Sequence, residues 1–390
     1  MAATSENSSA TNLWARAWRS VRSFRRSVKA LEFIIQAEDA LQRLTILGLL
    51  DLGQGGSLVI HRLVAEFACS PVLEEGAWSA VAESLLGEAD ELNDAGFPRP
   101  LLAWQPHLRA VTERALCGDD NTAGRLCIAL ALHLRMIGDY SSARPYSERA
   151  VEIFERIRGS EHPETATSLN NLGLVLREQG DLVGARPYYE RALAILEKVL
   201  GSEHSATITS LNNLGSLLRV QGDYARAIPL LARALAIREK AKSSDSKATS
   251  RSLNNRAFLM VAQGDFVGAR RTYEEALAVR EKGLGPEHPD TAQSLNSLGV
   301  LLFSQGDLEG ARPYFERALE IRERVLGPGH PDVARSLEGL GDLLQAEGDL
   351  GGARSLFARA LAIAESRLGR DHPLPQSLHE KVATLSEPPA

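Results

Sequence analysis

The sequence predicts an all-α solenoid built from six two-helix units. A Gly-Asp pair returns every 42 residues, two alanines follow each glycine by five and twelve residues, and a large apolar residue precedes it by four. A fixed period of this size is typical of stacked repeats rather than of separate globular domains. The glycines of the six pairs are Gly138, Gly180, Gly222, Gly264, Gly306 and Gly348.

Each unit is predicted to be a helical hairpin. In the second unit, Leu169, Leu172 and Leu176 follow the helical period, and Gly173 leaves room for a neighbouring helix. Gly180 suits the end of that first helix because glycine tolerates a positive φ. Asp181 is then placed to cap the second helix, because its carboxylate can accept hydrogen bonds from the free backbone N–H groups of the first turn of that helix.

These motifs resemble the tetratricopeptide repeat. Phrases such as SLNNLG, GARPYYERALAI and LGPEHPDTA are similar to the 42-residue repeats of kinesin light chains and their bacterial relatives. The resemblance covers roughly residues 121–374. It implies a right-handed solenoid in which the first helices line an inner groove that holds an extended peptide. It also implies a binding protein without enzymatic activity.

The resemblance places a peptide-binding asparagine two residues before the small residue of each first helix. Asn171, Asn213 and Asn255 occupy that position in repeats two to four, whereas Ala129, Ser297 and Gly339 occupy it elsewhere. An amide offers a donor and an acceptor to a peptide backbone at once. The alternative for these asparagines is a structural hydrogen bond to a neighbouring helix. For the preceding column, Asn170, Asn212, Asn254 and Asn296, we favour a structural role between adjacent repeats.

Other groove positions would select the ligand. Arginines beside apolar residues favour an acidic peptide with an apolar or aromatic anchor, although Glu178, Glu338 and Asp342 also point roughly inward. The predicted peptide-binding side chains are Asn171, Asn213, Asn255, Leu174, Arg177, Arg219, Arg251, Phe258 and Phe303.

Neither a metal site nor a catalytic site is predicted. His162, His204, His288, His330 and His372 recur at multiples of 42 residues, so a solenoid separates them and a turn role beside a helix start is expected. No nucleophile or phosphate-binding motif occurs, so we expect no enzyme and no cofactor. The net charge of −6 argues against nucleic acid. Three cysteines without metal spacing favour a reducing, cytoplasmic setting.

Residues 1–30 form a basic amphipathic arm in the sequence. Apolar residues recur at helical steps from Trp14 to Leu31, with arginines mostly between them. Two interpretations remain: a helix docked on its own protein or a poorly ordered arm, and a membrane or organelle-targeting helix. Membrane contact is expected only through residues 10–31.

A second resemblance lies in residues 31–70. A leucine pattern, a turn at LGLLDLGQGG and the alternating segment SLVIH resemble the tail of the winged-helix domain of STAND-class signalling ATPases. The phosphate-binding loop of those proteins is missing, so His61 is interpreted as a structural remnant. Residues 71–120 are predicted to be a helical adapter and residues 375–390 a C-terminal tail.

The sequence therefore favours a non-enzymatic adaptor that binds a protein or peptide in a concave groove. The alternative is a regulatory fragment of a STAND-type system whose ATPase is encoded separately. Within the solenoid, repeat four departs from the pattern, because its entry linker reads AKSSDSKATSRS and Arg256 replaces the leucine of Leu172 and Leu214. A softer joint is predicted near residues 241–256.

Overall fold

The computed structural model describes residues 50–52, 58–60, 75–102, 104–118, 120–241 and 246–385. They belong to two compact regions. The N-terminal region comprises Met1–Asp94 and Pro100–Leu130, and the repeat region comprises Ala95–Arg99 and Ala131–Ala390. The predicted basic arm, most of the winged-helix-like segment and residues 386–390 lie outside the described residues.

The described residues are helical apart from one short hairpin, which confirms the all-α prediction. Two strands, β1 (Leu50–Leu52) and β2 (Leu58–Ile60), pair antiparallel. The helices are α1 Glu75–Ala95, α2 Pro98–Leu102, α3 Gln105–Ala115, α4 Asn121–Met136, α5 Tyr140–Arg158, α6 Pro163–Glu178, α7 Leu182–Leu200, α8 Ser205–Val220, α9 Tyr224–Ala241, α10 Ser246–Ala262, α11 Phe266–Gly283, α12 Pro289–Ser304, α13 Leu308–Leu326, α14 Pro331–Glu347, α15 Leu350–Leu368 and α16 Pro373–Thr384.

In the N-terminal region, α1 contacts the start of α4. Arg125 on α4 forms ion pairs with Glu83 at 3.3 Å and with Asp90 at 3.8 Å, both on α1. Asn93 donates from Nδ2 to the carbonyl of Ala129 at 3.0 Å. The segment predicted as a helical adapter thus contains α1 to α3, and α1 is joined to the first repeat by polar contacts.

The six repeats are the successive hairpins α4–α5 to α14–α15, and repeat two shows why the Gly-Asp pair recurs. Gly180 takes a φ of +82°, which lets the chain reverse after α6. The Asp181 N–H donates to the carbonyl of Leu176 at 2.9 Å, and its carboxylate accepts from the N–H of Gly184 at 2.8 Å. The same turn caps the second helix of every repeat.

Small residues let the two helices of each repeat approach closely. A Cβ on Gly173 would lie 2.8 Å from the ring of Tyr189, so α6 and α7 could not pack this way with a larger residue. The repeated alanines lie in the same contacts and are fully or almost fully buried. They are Ala143, Ala150, Ala185, Ala192, Ala227, Ala234, Ala269, Ala276, Ala311, Ala318, Ala353 and Ala360.

The core is continuous between neighbouring repeats. One cluster of buried residues extends from Val151 on α5 through α6, α7 and α8 to Ala234 on α9. Another extends from Val333 on α14 to Leu378 on α16. No repeat could bury its apolar face alone, so each supplies half of its neighbour's core. The residues 375–385 that we assigned to a tail belong mostly to α16, which completes this last cluster.

Buried arginines join the second helix of one repeat to the first helix of the next. Arg280 on α11 donates to Ser294 on α12 at 2.9 Å and also contacts the carbonyl of Asp290. Arg322 on α13 donates to Ser336 on α14 at 2.7 Å. Because the donors of these guanidinium groups meet hydroxyl and carbonyl oxygens, both can be buried.

The repeated histidines cap the first helices, as predicted for residues beside a helix start. In His330, Nδ1 accepts from the N–H of Asp332 at 3.1 Å, and the other histidines of the series make the same bond. A ring that accepts at Nδ1 carries its proton on Nε2. Among the described residues, no group of three or more His, Cys, Asp or Glu side chains could hold a metal ion.

Helix starts stack on turns from much earlier repeats within the repeat region. His330 at the start of α14 hydrogen-bonds through Nε2 to the carbonyl of Met136, 194 residues earlier, at 3.1 Å. His288 at the start of α12 contacts the carbonyl of Ala95 in the same way, and His372 bonds to the backbone of Glu178. The first helices of this region therefore stack end to end, with a spacing of five repeats.

Within the part of the chain that the structure describes, no helix is both long enough and apolar enough to span a lipid bilayer.

Candidate functional site

Charged side chains of first helices from distant repeats meet in the repeat region. Glu178 at the end of α6 accepts from Arg177 at 2.5 Å and from Arg335 on α14 at 3.3 Å. Burial opposes ionisation of Glu178, but the two guanidinium groups outweigh it and hold its pKa at about 2. Glu178 is therefore a fixed negative charge between two helices that are four repeats apart.

Arg335 binds a second carboxylate as well. Its Nη1 lies 2.6 Å from Oδ1 of Asp332, one turn earlier on α14. Burial by itself would raise the pKa of the Asp332 carboxyl. The charges of Arg335 and Arg322 lower it by more, so the pKa of Asp332 lies well below the usual range. Tyr140 is buried beside this network. Burial raises the pKa of its phenol most strongly, and the negative charges of Glu178 and Asp332 raise it further.

Two further arginines add positive charge without matching carboxylates. Enclosure by the surrounding protein lowers the pKa of Arg251 on α10, and repulsion from Arg177 and Arg135 adds to this, whereas Asp290 opposes it. The side chain of Arg251 nevertheless remains accessible to solvent. Neither Arg135 nor Arg251 forms an ion pair or a side-chain hydrogen bond with a described residue, and Nε of Arg135 is buried without a partner.

We call Arg135, Arg177, Arg251 and Arg335 the inner arginine cluster. They lie on the first helices of repeats one, two, four and six. Because charges on non-adjacent repeats influence one another, these helices must face a common interior. These four guanidinium groups are balanced by three carboxylates, Glu178, Asp332 and Asp290, so the cluster carries an excess of positive charge.

The predicted asparagines have different surroundings. Asn255 donates through Nδ2 to Oδ1 of Asn212 on α8, so it joins repeats three and four. Asn213 is buried, and Asn171 is half-buried; neither makes a side-chain hydrogen bond to a described residue. In the preceding column, Asn170 accepts from Ser210 at 3.2 Å across repeats two and three. Asn170 and Asn212 thus bridge adjacent repeats, whereas Oδ1 of Asn254 and Oδ1 of Asn296, in the same column, are buried without a partner among the described residues.

Arg219 and Phe258, two of the predicted groove residues, contact each other. The guanidinium of Arg219 lies 5.3 Å from the centre of the Phe258 ring, within cation–π range. The ring of Tyr224, at the start of α9, is tilted against the ring of Phe258, with 5.9 Å between ring centres. These three side chains form an aromatic patch between repeats three and four.

The remaining predicted residues lie at the edges of the core. Leu174 is partly buried against the cluster of repeats two and three, and Phe303 against a cluster that contains Phe315 and Leu340. Among the predicted residues, Arg177 and Arg251 therefore belong to the inner arginine cluster, and Arg219 and Phe258 belong to the aromatic patch.

The repeat pattern matches a family model described as tetratricopeptide repeat, over residues 124–198, 169–240, 248–323 and 297–366. The chain belongs to the tetratricopeptide repeat family. No curated protein is significantly similar to this tetratricopeptide repeat chain. The matched family is a repeat family, and it does not indicate an enzyme.

Solved structures of other repeat proteins are similar to it. Apo RapI has 15% identity and a TM-score of 0.53, over 78% of this chain and 99% of RapI. NprR in complex with its cognate peptide NprX has 14% identity and a TM-score of 0.52, over 68% of this chain and 74% of NprR. A putative kinesin light chain repeat protein from Podosopora anserina has 26% identity and a TM-score of 0.40, over 51% and 94%.

Sequence reasoning missed Arg335 and Asp332. Both lie in the first turn and a half of α14, where charged residues usually face solvent, so their spacing gave no reason to single them out. Arg335 does occupy the register of Arg251, 84 residues earlier, and this shared column was the one available signal.

Proposed function

We propose that this protein is a non-enzymatic scaffold that binds an acidic peptide or an acidic segment of a protein through its inner arginine cluster. The observation that carries the proposal is the solvent-accessible Arg251, which forms no ion pair with a described residue and is repelled by Arg177 and Arg135, with only Asp290 opposing them. A ligand carboxylate would relieve that repulsion and satisfy donors that now lack acceptors.

An apolar side chain of the ligand would bind the aromatic patch. Phe258 and Tyr224 offer ring surface, and Arg219 adds a positive charge at its border. Asn171 and Asn213 are proposed to hold the ligand backbone, since their amides make no hydrogen bonds to described residues. For Asn255 the proposal is weaker because Asn212 already accepts from its amide. Of the similar structures, NprR is described in complex with a peptide, which gives a precedent for peptide binding on this fold.

Fluorescence anisotropy tests the proposal with two labelled peptides that differ only in carrying Glu or Gln at the acidic positions. We expect the acidic peptide to bind more tightly, and Arg251→Gln to weaken it by about tenfold, which is about 1.4 kcal/mol. Arg233→Gln is the matched control because Arg233 pairs with Glu197 between two second helices. Equal binding of both peptides by the wild-type chain would contradict the proposal.

A second candidate is a regulatory subunit of a STAND-type ATPase. The antiparallel pair β1–β2 lies within residues 31–70, the segment for which the sequence predicts a winged-helix-like remnant. The full chain should then capture a protein with ATPase activity. Cross-linking followed by mass spectrometry should place that protein on residues 31–70. Cross-links confined to the repeats would argue against this candidate.

A further inference from the structure

The repeat region contains an interface that recurs within the chain. The start of a first helix docks on the glycine turn of the repeat five positions earlier. A Cβ on Gly138 would lie 2.5 Å from Cδ of Pro331, and one on Gly180 would lie 2.7 Å from Cδ of Pro373. His288 likewise packs edge-on against Phe97, beside the turn at Gly96, with ring centres 5.1 Å apart. The same contact thus forms three times.

The turns of later repeats lack this contact. No described atom lies within 4 Å of a Cβ placed on Gly222, Gly264, Gly306 or Gly348. Apolar side chains beside these turns are exposed as a result: Tyr224 to 52%, Phe266 to 41% and Leu350 to 53%. Tyr140 occupies the same register beside a stacked turn and is only 4% exposed. Stacking thus accompanies the burial of Tyr140, whereas Leu182 beside a stacked turn and Leu308 beside an open one are both half-buried.

The helix starts of repeats two and three are exposed and do not dock on a described turn. The side chains of His288 and His330, at stacked starts, are 3% and 4% exposed. The side chain of His162, at the start of α6, is 39% exposed, and His204, at the start of α8, is also exposed. Nδ1 of each of these two histidines accepts a backbone N–H at the start of its helix, as Nδ1 of the stacked histidines does. The docking geometry is thus formed and unoccupied by described residues.

We propose that these two edges bind each other between two copies of this chain. The starts of α6 and α8 of one copy dock on the turns at Gly306 and Gly348 of the other. Both pairs are 42 residues apart, so both contacts can form at once. In this register Leu350, which is exposed beside the turn at Gly348, becomes buried.

A second copy fits these edges better than an unrelated partner because it carries the surface that already docks three times within the chain. The interface is heterologous: different edges of the two copies meet, and each copy keeps one edge free. Such an interface does not close in a dimer, so the chains should add head to tail as the concentration rises. This association is independent of ligand binding at the inner arginine cluster.

Sedimentation velocity over a range of concentrations tests the proposal with three single variants. His204→Arg blocks the edge of helix starts, and Leu350→Arg blocks the edge of turns. Val199→Arg is the matched control, because Val199 is a similarly exposed apolar residue on α7. We expect the wild type and the control to associate alike, and each blocked variant to associate at least about tenfold more weakly. Thermal melting by circular dichroism verifies that all variants fold.

Mixing the two blocked variants gives the sharpest result. One intact edge of each remains, so an equimolar mixture should form a dimer that does not grow, whereas the double variant His204→Arg with Leu350→Arg should not join itself. A wild-type chain that stays monomeric at every concentration would overturn the proposal. So would blocked variants that associate as the wild type does, since the contact would then lie elsewhere.

Discussion

Arg335 and Glu178 are 157 residues apart in sequence, yet Nη2 of the arginine lies 3.3 Å from Oε2 of the glutamate. The pair joins the start of α14 to the end of α6. It stands beside the stacked starts at His330 and His372, so it belongs to the contacts that hold distant repeats together. It also borders the inner arginine cluster, where ligand binding is proposed.

Arg335→Ala should lower the free energy of unfolding by about 1–2 kcal/mol, because it leaves the poorly accessible Glu178 with one partner and Asp332 without its closest one. Urea unfolding followed by circular dichroism measures the change. Arg359→Ala is the control, since Arg359 pairs with Glu323 at a more exposed position and should cost less than about 1 kcal/mol. Equal effects would mean that the distant pair contributes nothing special.

Gly138→Ala should destabilise the chain more than Gly264→Ala. Both glycines have positive φ, +76° and +81°, so each substitution introduces about 1–2 kcal/mol of backbone strain. Only at Gly138 would the added Cβ also overlap with Pro331, which should add at least about 1 kcal/mol. The difference between the two melting temperatures measures the stacking contact directly. Identical melting temperatures would show that the stack is not populated in solution.

Asn255→Ala should cost about 1–3 kcal/mol, because it leaves the buried Oδ1 of Asn212 without its donor. Asn171→Ala, in the same column, should change stability by no more than about 0.5 kcal/mol, since Asn171 has no such bond among the described residues. Chemical denaturation of both variants separates a structural role from a binding role in this column. A large loss of stability in Asn171→Ala would argue for a structural role there too.

Stability should decrease as the pH falls below about 6.5. Burial lowers the pKa of His330, and Arg335 and Arg322 lower it further, although Asp332 and the bond to Met136 oppose the shift. The folded state thus favours the neutral ring that caps α14. That preference stabilises the fold fully above the pKa of the unfolded histidine, and it diminishes as the pH drops through that value toward the lower folded pKa.

Melting temperatures recorded between roughly pH 7.5 and 5 test this dependence. Burial likewise lowers the pKa of His133, to about 4, and of His288, so several histidines contribute to the decrease. His330→Asn keeps a good capping residue without a titrating ring, so the melting temperature of this variant should change less over this pH range than that of the wild type. Glu178 contributes little to the change over this range, because the stability that its lowered pKa provides is lost only as the pH falls below the ordinary glutamate pKa of 4.5. An unchanged pH profile in the variant would exclude His330 as a contributor.

Hydrogen exchange should be faster in α10 than in the other first helices. Arg256 is exposed where Leu172, Leu214 and Leu298 are buried in their repeats, so α10 contributes less apolar surface to the core. Exchange measured by mass spectrometry should therefore show low protection over residues 246–256. Uniform protection across the six repeats would refute a soft joint in repeat four.

Local features of the fold could be read from the sequence because each depends on neighbours in the chain. The Gly-Asp turns, the buried alanines and the capping histidines all act within one hairpin or between adjacent hairpins, and a 42-residue period repeats their surroundings. The first helices of the six repeats could be placed for the same reason.

The long-range contacts could not be predicted in this way. Nothing in the 42-residue period states how much each repeat rotates against the next, and that rotation decides which helix start meets which turn. A small change per repeat would separate Arg335 from Glu178 and expose His330. The burial of Arg280 and Arg322 could not be predicted either. In a sequence, a buried arginine looks the same as a surface one, and only the structure shows its oxygen partners.

The sequence by itself determined the unit: two helices, their caps, their turn and the small residues between them. Tertiary structure alone decided how the units wind, and with it the inner arginine cluster, the partners of Glu178 and the two open edges. The physical reason is that local hydrogen bonds and side-chain size define a hairpin, whereas small packing angles accumulate over five repeats before distant residues meet.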